Sequence, residues 1–398
     1  MRGNLPEGWR IDSVMSVFSV VSGKTPSTKV EKYWKDGDIE WITPADMSDV
    51  NEHVYLVESS RKVSKSALME TGLNLVPKDT IILSTRAPVG TLALSSKEMT
   101  FNQGCHGLIN RDPSLYDTRY FYYYLLGKRW DLQNQSGGST FKELSKERLN
   151  SFPLLIPPLA EQRRIAGILT SADSAIEDAD KAVFESQRIK TGLMQQLIPR
   201  DTENLPEGWT LGKLDDAGTW SAGGTPSRTK PEYYLNGTVP WIKSGDLNDG
   251  YVTETEEKIT LAATKETRAC INKIGSVALA LYGATIGKTG IISVEAATNQ
   301  ACCVCTPYSH IDSRFLNAYL ISQRNEFRKR GSGGAQSNIS KEIVVSYPFP
   351  YPPLAEQRRI AEILSAADEQ IALCQKRKAL LQRTKTGLMQ NLLSGAAS

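Results

Sequence analysis

Two stretches of the chain carry apolar residues at alternating spacings of four and three. They are Ile165, Leu169, Ala172, Ile176, Ala179 and Val183, then Ile360, Leu364, Ala367, Ile371 and Cys374. That is the spacing of a coiled-coil seam and predicts two long helices. Each follows a proline pair, Pro157-Pro158 and Pro352-Pro353, and proline is well placed at a helix start. Elsewhere the apolar residues fall in short β-rich runs such as Thr80 to Ser84 and Ser276 to Leu281, broken by Gly, Pro and Ser turns. A further helical segment is expected from Tyr120 to Gln133, matched by Phe315 to Lys329. The aromatic run Tyr120, Phe121, Tyr122, Tyr123, Tyr124 reads as core rather than as a base-stacking platform, because Phe315, Tyr319, Leu320 and Ile321 repeat its apolar character.

The matching of these patterns is an internal repeat, and it settles the organisation. All ten residues from Pro157 to Ala166 recur from Pro352 to Ala361, and both helices close on Thr-Gly-Leu-Met-Gln. Residues 157–197 and 352–392 share 25 identities in 41 positions. Asn4 to Trp9 returns unchanged as Asn204 to Trp209, Gly23 to Ser27 matches Gly223 to Ser227, Trp41-Ile42 matches Trp241-Ile242, and Asn102-Gln103 matches Asn299-Gln300. The offset shrinks from 200 to 197 to 195 along the way, and each slip marks a deletion in a loop. The domains are therefore expected at 1–156 and 201–351, with long helices at 157–200 and 352–398. The fold class is α+β: two similar mixed domains joined by two long helices. A helix of about 39 residues is roughly 58 Å long, against about 30 to 35 Å for a compact domain. With only the short linker Ile198 to Glu203 after the first helix, the second must run antiparallel to it, about a pseudo-twofold axis.

Composition narrows the function classes. At 398 residues, 40% hydrophobic and 23% charged, the chain reads as globular. There is no run of eighteen apolar residues and no basic-then-apolar leader, so no membrane partner and a cytoplasmic location are expected. The net charge of +3 permits a nucleic-acid partner without demanding one. Cys302, Cys303 and Cys305 read as packed thiols rather than a metal site, since the matching region of the first half has only Cys105. No metal site is expected. His53, His106 and His310 have no partners in the other half, and no Asn-Pro-Pro-aromatic signature is present, so no catalytic residue is assigned. Gly283 to Thr289 resembles a phosphate-cradling loop, with three residues between its glycines where four are required.

The two halves are alike unevenly. The helices are largely the same, whereas the mixed domains keep only framework residues. Shared helices suggest one partner docking twice. Differing surfaces on a common frame suggest two ligands of one chemical class, such as two short words on one polymer, with a spacing set by geometry.

The repeated Leu-Pro-Glu-Gly-Trp, the Gly-Thr-Pro-Ser and Trp-Ile pairs, Asn-Gln and the duplicated Pro-Pro-Leu-Ala-Glu-Gln-Arg-Arg-Ile-Ala resemble the specificity subunit of a type I restriction-modification system. The resemblance covers essentially the whole length. It implies that each mixed domain is a target-recognition domain for half of a bipartite site on double-stranded DNA. It also implies that the helices set the spacing and hold two methyltransferase subunits, with two restriction subunits joining the full complex. S-adenosylmethionine, ATP and Mg are then expected on those partners and no cofactor on this chain.

Phosphate contacts supply affinity and base edges supply specificity. Lys24 and the shared loop residues Thr25, Ser27, Thr225 and Ser227 are candidates for DNA positioning, with turn chemistry around Pro26 and Pro226 as the competing account. Residues that differ on the shared frame are candidates for base readout: Thr43 against Lys243, Arg86 against Tyr282 or its neighbour Gly283, and Thr140 against Gln336 at the ends of the Gly-Ser loops. Each competes with a solvated loop side chain. Lys288 is a candidate phosphate contact. On the helices, Glu161, Arg163, Arg164, Glu356, Arg358 and Arg359 are candidates for docking the methyltransferases, against surface ion pairing.

Overall fold

The computed structural model of the chain describes residues 5–48, 54–86, 88–136, 143–199, 201–331 and 338–395. The chain divides into two compact units: Met1–Ala182 with Cys374–Ser398, and Val183–Leu373. Each of the long helices, Leu159–Leu197 and Leu354–Leu392, thus contributes its first part to one unit and its last part to the other.

In the first unit a five-stranded sheet runs in the order Phe18–Ser22, Cys105–Asn110, Ile81–Ser84, Leu92–Ser95, Tyr55–Leu56, antiparallel except for the last pair. A smaller sheet has the order Lys62–Val63, Ile39–Ile42, Thr100–Phe101. The second unit repeats the large sheet as Gly218–Ala222, Cys302–Pro307, Val277–Ala280, Thr289–Ile292, Tyr251–Val252. Its smaller sheet, Glu257–Ile259, Val239–Ile242, Ala296–Thr298, Ile271–Asn272, has one strand more, where the first unit has a single bridge from Val76 to Met99.

Ile81–Ser84, Leu92–Ser95, Val277–Ala280 and Thr289–Ile292 in the large sheets are buried at every position, so they are mostly apolar on both faces instead of alternating. In the first unit Ile81, Leu83, Leu92 and Leu94 face a core shared with Tyr120 to Leu125 and with the helix residues Ile165, Ala166 and Leu169. Ile82 and Ala93 face a second core with Ile42, Met47 and Phe101. The aromatic run is thus packed inside, from 0% to 7% exposed, beyond reach of any base. The single helical segment expected there is two, Thr118–Gly127 and Arg129–Asn134, broken where Lys128 leaves helical geometry at ψ 15°. The matching break in the second unit falls at Gln323.

The long helices pack differently along their length. Buried positions of the second are confined to its start, at Gln357, Ile360, Ala361 and Leu364. Further along, ion pairs fix the pairing. In the first unit Asp173 meets Lys385 and Asp180 meets Lys378, so seven residues forward on one helix match seven backward on the other. The helices are antiparallel there. In the second unit Lys190 meets Asp368, the repeat counterpart of the Asp173–Lys385 pair.

Candidate nucleic-acid interface

The repeated loop residues form one frame in each unit. After the strand Phe18–Ser22, Gly23 N–H donates to Cys105 O at 3.1 Å, Lys24 N–H to Phe101 O at 3.0 Å, and the Trp41 indole N–H to Lys24 O at 3.0 Å. A Cβ on Gly23 would lie 1.9 Å from Asn102 O, so only glycine fits. The Thr25 hydroxyl bonds the Gln103 amide. The second unit repeats this: Gly223 N–H donates to Cys302 O, the Trp241 indole to Gly224 O at 3.2 Å, and Thr225 bonds Gln300. A Cβ on Gly223 would lie 2.1 Å from Asn299 O. Turn chemistry therefore accounts for the shared Gly, Trp and Asn, while Lys24, Thr25, Ser27, Thr225 and Ser227 stand exposed on the frame.

Beyond Trp41-Ile42, the Thr43 N–H and hydroxyl both donate to Asp46, at 2.8 and 2.6 Å, which occupies the hydroxyl internally. Burial would raise the Asp46 pKa, but the bonds from Thr43 and Ser60 outweigh it and hold the carboxyl below its usual range. Lys243 stands at the same place and its ammonium is bound by Glu256 at 2.5 Å and Glu257 at 3.0 Å. Those bonds raise the Lys243 pKa, and Lys243 in turn lowers that of Glu257. Arg86 is also paired, with Glu143 at 3.2 Å, both partners half exposed. Tyr282 is 42% exposed. Lys288 is partly buried beside the turn Gly283–Thr285. Thr140 and Gln336 lie outside the described residues. Of the two glycines in that turn region, Gly287, at φ +80°, has a packing cause, since the Arg324 side chain would be 2.7 Å from a Cβ there, whereas Gly283, at φ +60°, has open space around it.

Two arginines escaped the sequence comparison. The Arg61 guanidinium stacks 3.8 Å from the Trp34 ring centre and 5.5 Å from that of Trp41. Arg228 lies 4.3 Å from the Tyr234 ring centre and 5.6 Å from that of Trp241. The rings correspond across the repeat. The arginines do not, since Arg61 follows the turn before Lys62–Val63 whereas Arg228 comes from the loop after Ser227. The only available signal was an arginine near each aromatic pair, which aligned positions conceal.

Buried near this frame, Glu40 is 1% exposed and takes bonds from Ser59, Lys62 and Lys97. Burial opposes its ionisation, yet these bonds bring its pKa down to about 2. The second unit has Pro240 at this position.

The repeated block at the helix starts has a structural use. Gln162 is 1% exposed; its carbonyl takes the Asp117 N–H at 2.8 Å and its amide donates to Pro157 O at 2.8 Å and Leu115 O at 3.3 Å. Gln357, 0% exposed, makes the same set with Asp312 N–H, Pro352 O and His310 O. Glu161 and Arg164 close on each other through two bonds of 2.7 Å, as do Glu356 and Arg359 through bonds of 2.7 and 2.6 Å. Arg163 and Arg358 remain exposed, without an ion pair among the described residues.

Cys302, Cys303 and Cys305 are buried, and burial pushes the Cys302 and Cys305 thiols up to about 12 and Cys303 well up. Among the described residues no three His, Cys, Asp or Glu side chains gather as a metal site, and no helix is long and apolar enough to cross a membrane.

A family model described as type I restriction modification DNA specificity domain matches residues 6–185 and again 206–383. The MjaIX type I restriction enzyme specificity subunit of Methanocaldococcus jannaschii is 27% identical over 430 residues, 99% of this chain and 94% of that protein. The EcoR124I/EcoR124II specificity subunit of Escherichia coli is 29% identical over 171 residues, 42% of each chain. Among solved structures, the type I restriction-modification S subunit from M. genitalium superposes with a TM-score of 0.61 at 16% identity, covering 98% of this chain and 97% of that one.

Proposed function

Since this chain belongs to the type I restriction-modification DNA specificity family, we propose that it reads a bipartite, asymmetric site on double-stranded DNA, one half with each unit. The long helices dock two methyltransferase subunits and, through them, two restriction subunits. Catalysis belongs to those partners, which bind S-adenosylmethionine, ATP and Mg; this chain supplies the address.

The observation that carries this reading is one frame with unlike fillings. The loop from Gly23 or Gly223 through Thr-Pro-Ser, the Trp indole bond, the Thr–Gln pair and the aspartate that takes the next backbone N–H, Asp46 or Asp246, are common to both units, while the Thr43 hydroxyl on Asp46 is replaced by the Lys243 ammonium on Glu256 and Glu257. A common frame suits a common ligand, the DNA backbone. Different donors and acceptors on it suit different base sequences. Under this reading Lys24, Thr25, Ser27, Thr225, Ser227 and Lys288 lie against phosphates, and Thr43, Arg86, Lys243 and Tyr282, with Thr140 and Gln336, face the bases. Arg163 and Arg358, exposed at identical places on the two helix starts, are the methyltransferase contacts, and the Glu161–Arg164 and Glu356–Arg359 pairs stiffen the same turns.

The test is to express the chain with its methyltransferase in a methylation-free host and map modified adenines by long-read sequencing. Two unlike words at one fixed gap are expected. A soluble complex with an active methyltransferase and no new methylated motif would refute the reading and leave a scaffold that does not read DNA.

A further inference from the structure

The two stacked arginines supply the same group at the same place by different routes. In the first unit Glu40 pairs with Lys62, which sets Trp41 opposite Arg61, and the Trp41 backbone N–H donates to Arg61 O at 3.2 Å. In the second, the Trp241 N–H bonds Thr255 Oγ1, which donates to Glu257 O. Position 61 of one unit is therefore position 257 of the other, and an arginine has become a glutamate. The guanidinium is nevertheless retained over Trp241, now from Arg228, whose repeat counterpart is Thr28. A group kept in place while its chain position changes serves something common to both units. The shelf borders the exposed frame: the Trp41 and Trp241 indoles hold the loops that carry Thr25 and Thr225.

We propose that Arg61 and Arg228 are equivalent phosphate anchors, each a guanidinium oriented by an aromatic pair beside the Thr–Gln pair of its frame, binding the DNA backbone irrespective of base sequence. The inference rests on the DNA-reading function proposed above. A planar guanidinium stacked on rings keeps its donor edge free and is well suited to phosphate oxygens. The two anchors differ in availability. Arg228 is held by Glu257 at 2.7 Å, so a phosphate must compete with that carboxylate, whereas Arg61 has no carboxylate partner among the described residues.

The experiment uses the assembled methyltransferase complex and duplexes carrying its mapped site, or that site with single base changes, titrated from 50 to 200 mM salt. Arg61→Ala should weaken binding by the same factor on every duplex and make the slope of log affinity against log salt shallower by about 0.9. The advantage of the natural residue then shrinks by about 3.5-fold over that salt range. Arg228→Ala should do the same to a smaller extent, and Glu257→Gln, which frees Arg228 while leaving Lys243 its bond to Glu256, should strengthen binding by the same factor on every duplex. A loss confined to one base pair would make Arg61 a base reader and overturn the proposal. So would unchanged binding, or weaker binding with an unchanged salt slope and a lowered unfolding temperature, the mark of a packing role. Failure of the unaltered complex to select any site would instead sink the DNA reading itself and the anchors with it.

Discussion

At the scale of single residues, the groups that differ between the units have separate physical signatures. Glu40 is the clearest. Its carboxyl titrates near 2 in the folded chain, below the usual value of 4.5, so its stabilising effect is fully present above about pH 4.5 and is lost as pH falls towards 2. The loss amounts to about 3 kcal/mol. The second unit has Pro240 at this position and so lacks this buried carboxylate; its small sheet carries instead the less buried Glu257, whose pKa is lowered by Lys243. Acid unfolding followed by hydrogen exchange should open the first unit's small sheet ahead of the second's, and Glu40→Gln should remove that difference between pH 4.5 and 2. Gln162 and Gln357 illustrate what aligned sequences hide. Their identity in the repeat was visible, but their partners are backbone carbonyls and N–H groups, which leave no trace in residue type. Gln357→Leu strands the buried Pro352 carbonyl and the partly buried Asp312 N–H and His310 carbonyl, at a cost on the order of 2 to 4 kcal/mol. Gln357→Glu keeps an acceptor for that N–H but sets a buried carboxylate against the Pro352 and His310 carbonyls, so in a urea unfolding series at neutral pH it should cost at least as much.

Among the elements, those with long periodic patterns were legible and those set by close contacts were not. The seam spacing marked both long helices, and the observed spans of Leu159–Leu197 and Leu354–Leu392 agree with it. The break at Lys128 was not expected although Gly127 precedes it, because a lone glycine is tolerated inside a helical pattern and Ser322 stands there before the matching break; the turn arises as the chain passes from the buried Tyr120–Leu125 face to Leu132 in the same core. The loop after Phe18–Ser22 was legible as a repeated motif, yet its geometry depends on the Asn102 carbonyl approaching a missing Cβ. Gly23→Ala forces that carbonyl and the loop apart. Under the proposed function it should abolish recognition of the first unit's word while the complex still assembles and the other unit remains folded. The check is binding to duplexes altered in one half at a time. Selectivity retained in both halves would show that the loop does not position DNA contacts.

At the scale of the whole molecule, the decisive quantity is the length of helix between the ion pairs. Asp173–Lys385 and Asp180–Lys378 hold the helices together in the first unit and Lys190–Asp368 holds them in the second. Four residues inserted between 181 and 189 of one helix, and four between 369 and 377 of the other, fall outside all three pairs and leave each unit's residues unaltered. Four residues are close to one helical turn, so side chains beyond the insertion rotate by only about 40°, and the helix lengthens by about 6 Å. If the helices set the gap between the two words, that gap should grow by about two base pairs at 3.4 Å each, with both words unchanged. Insertion in one helix alone slides the ion pairs out of register and should impair assembly. A methylation map of the doubly extended chain decides it: the same words farther apart make the helices a ruler, whereas new words at the old gap would mean that the helices shape the recognition surfaces and that spacing is set elsewhere.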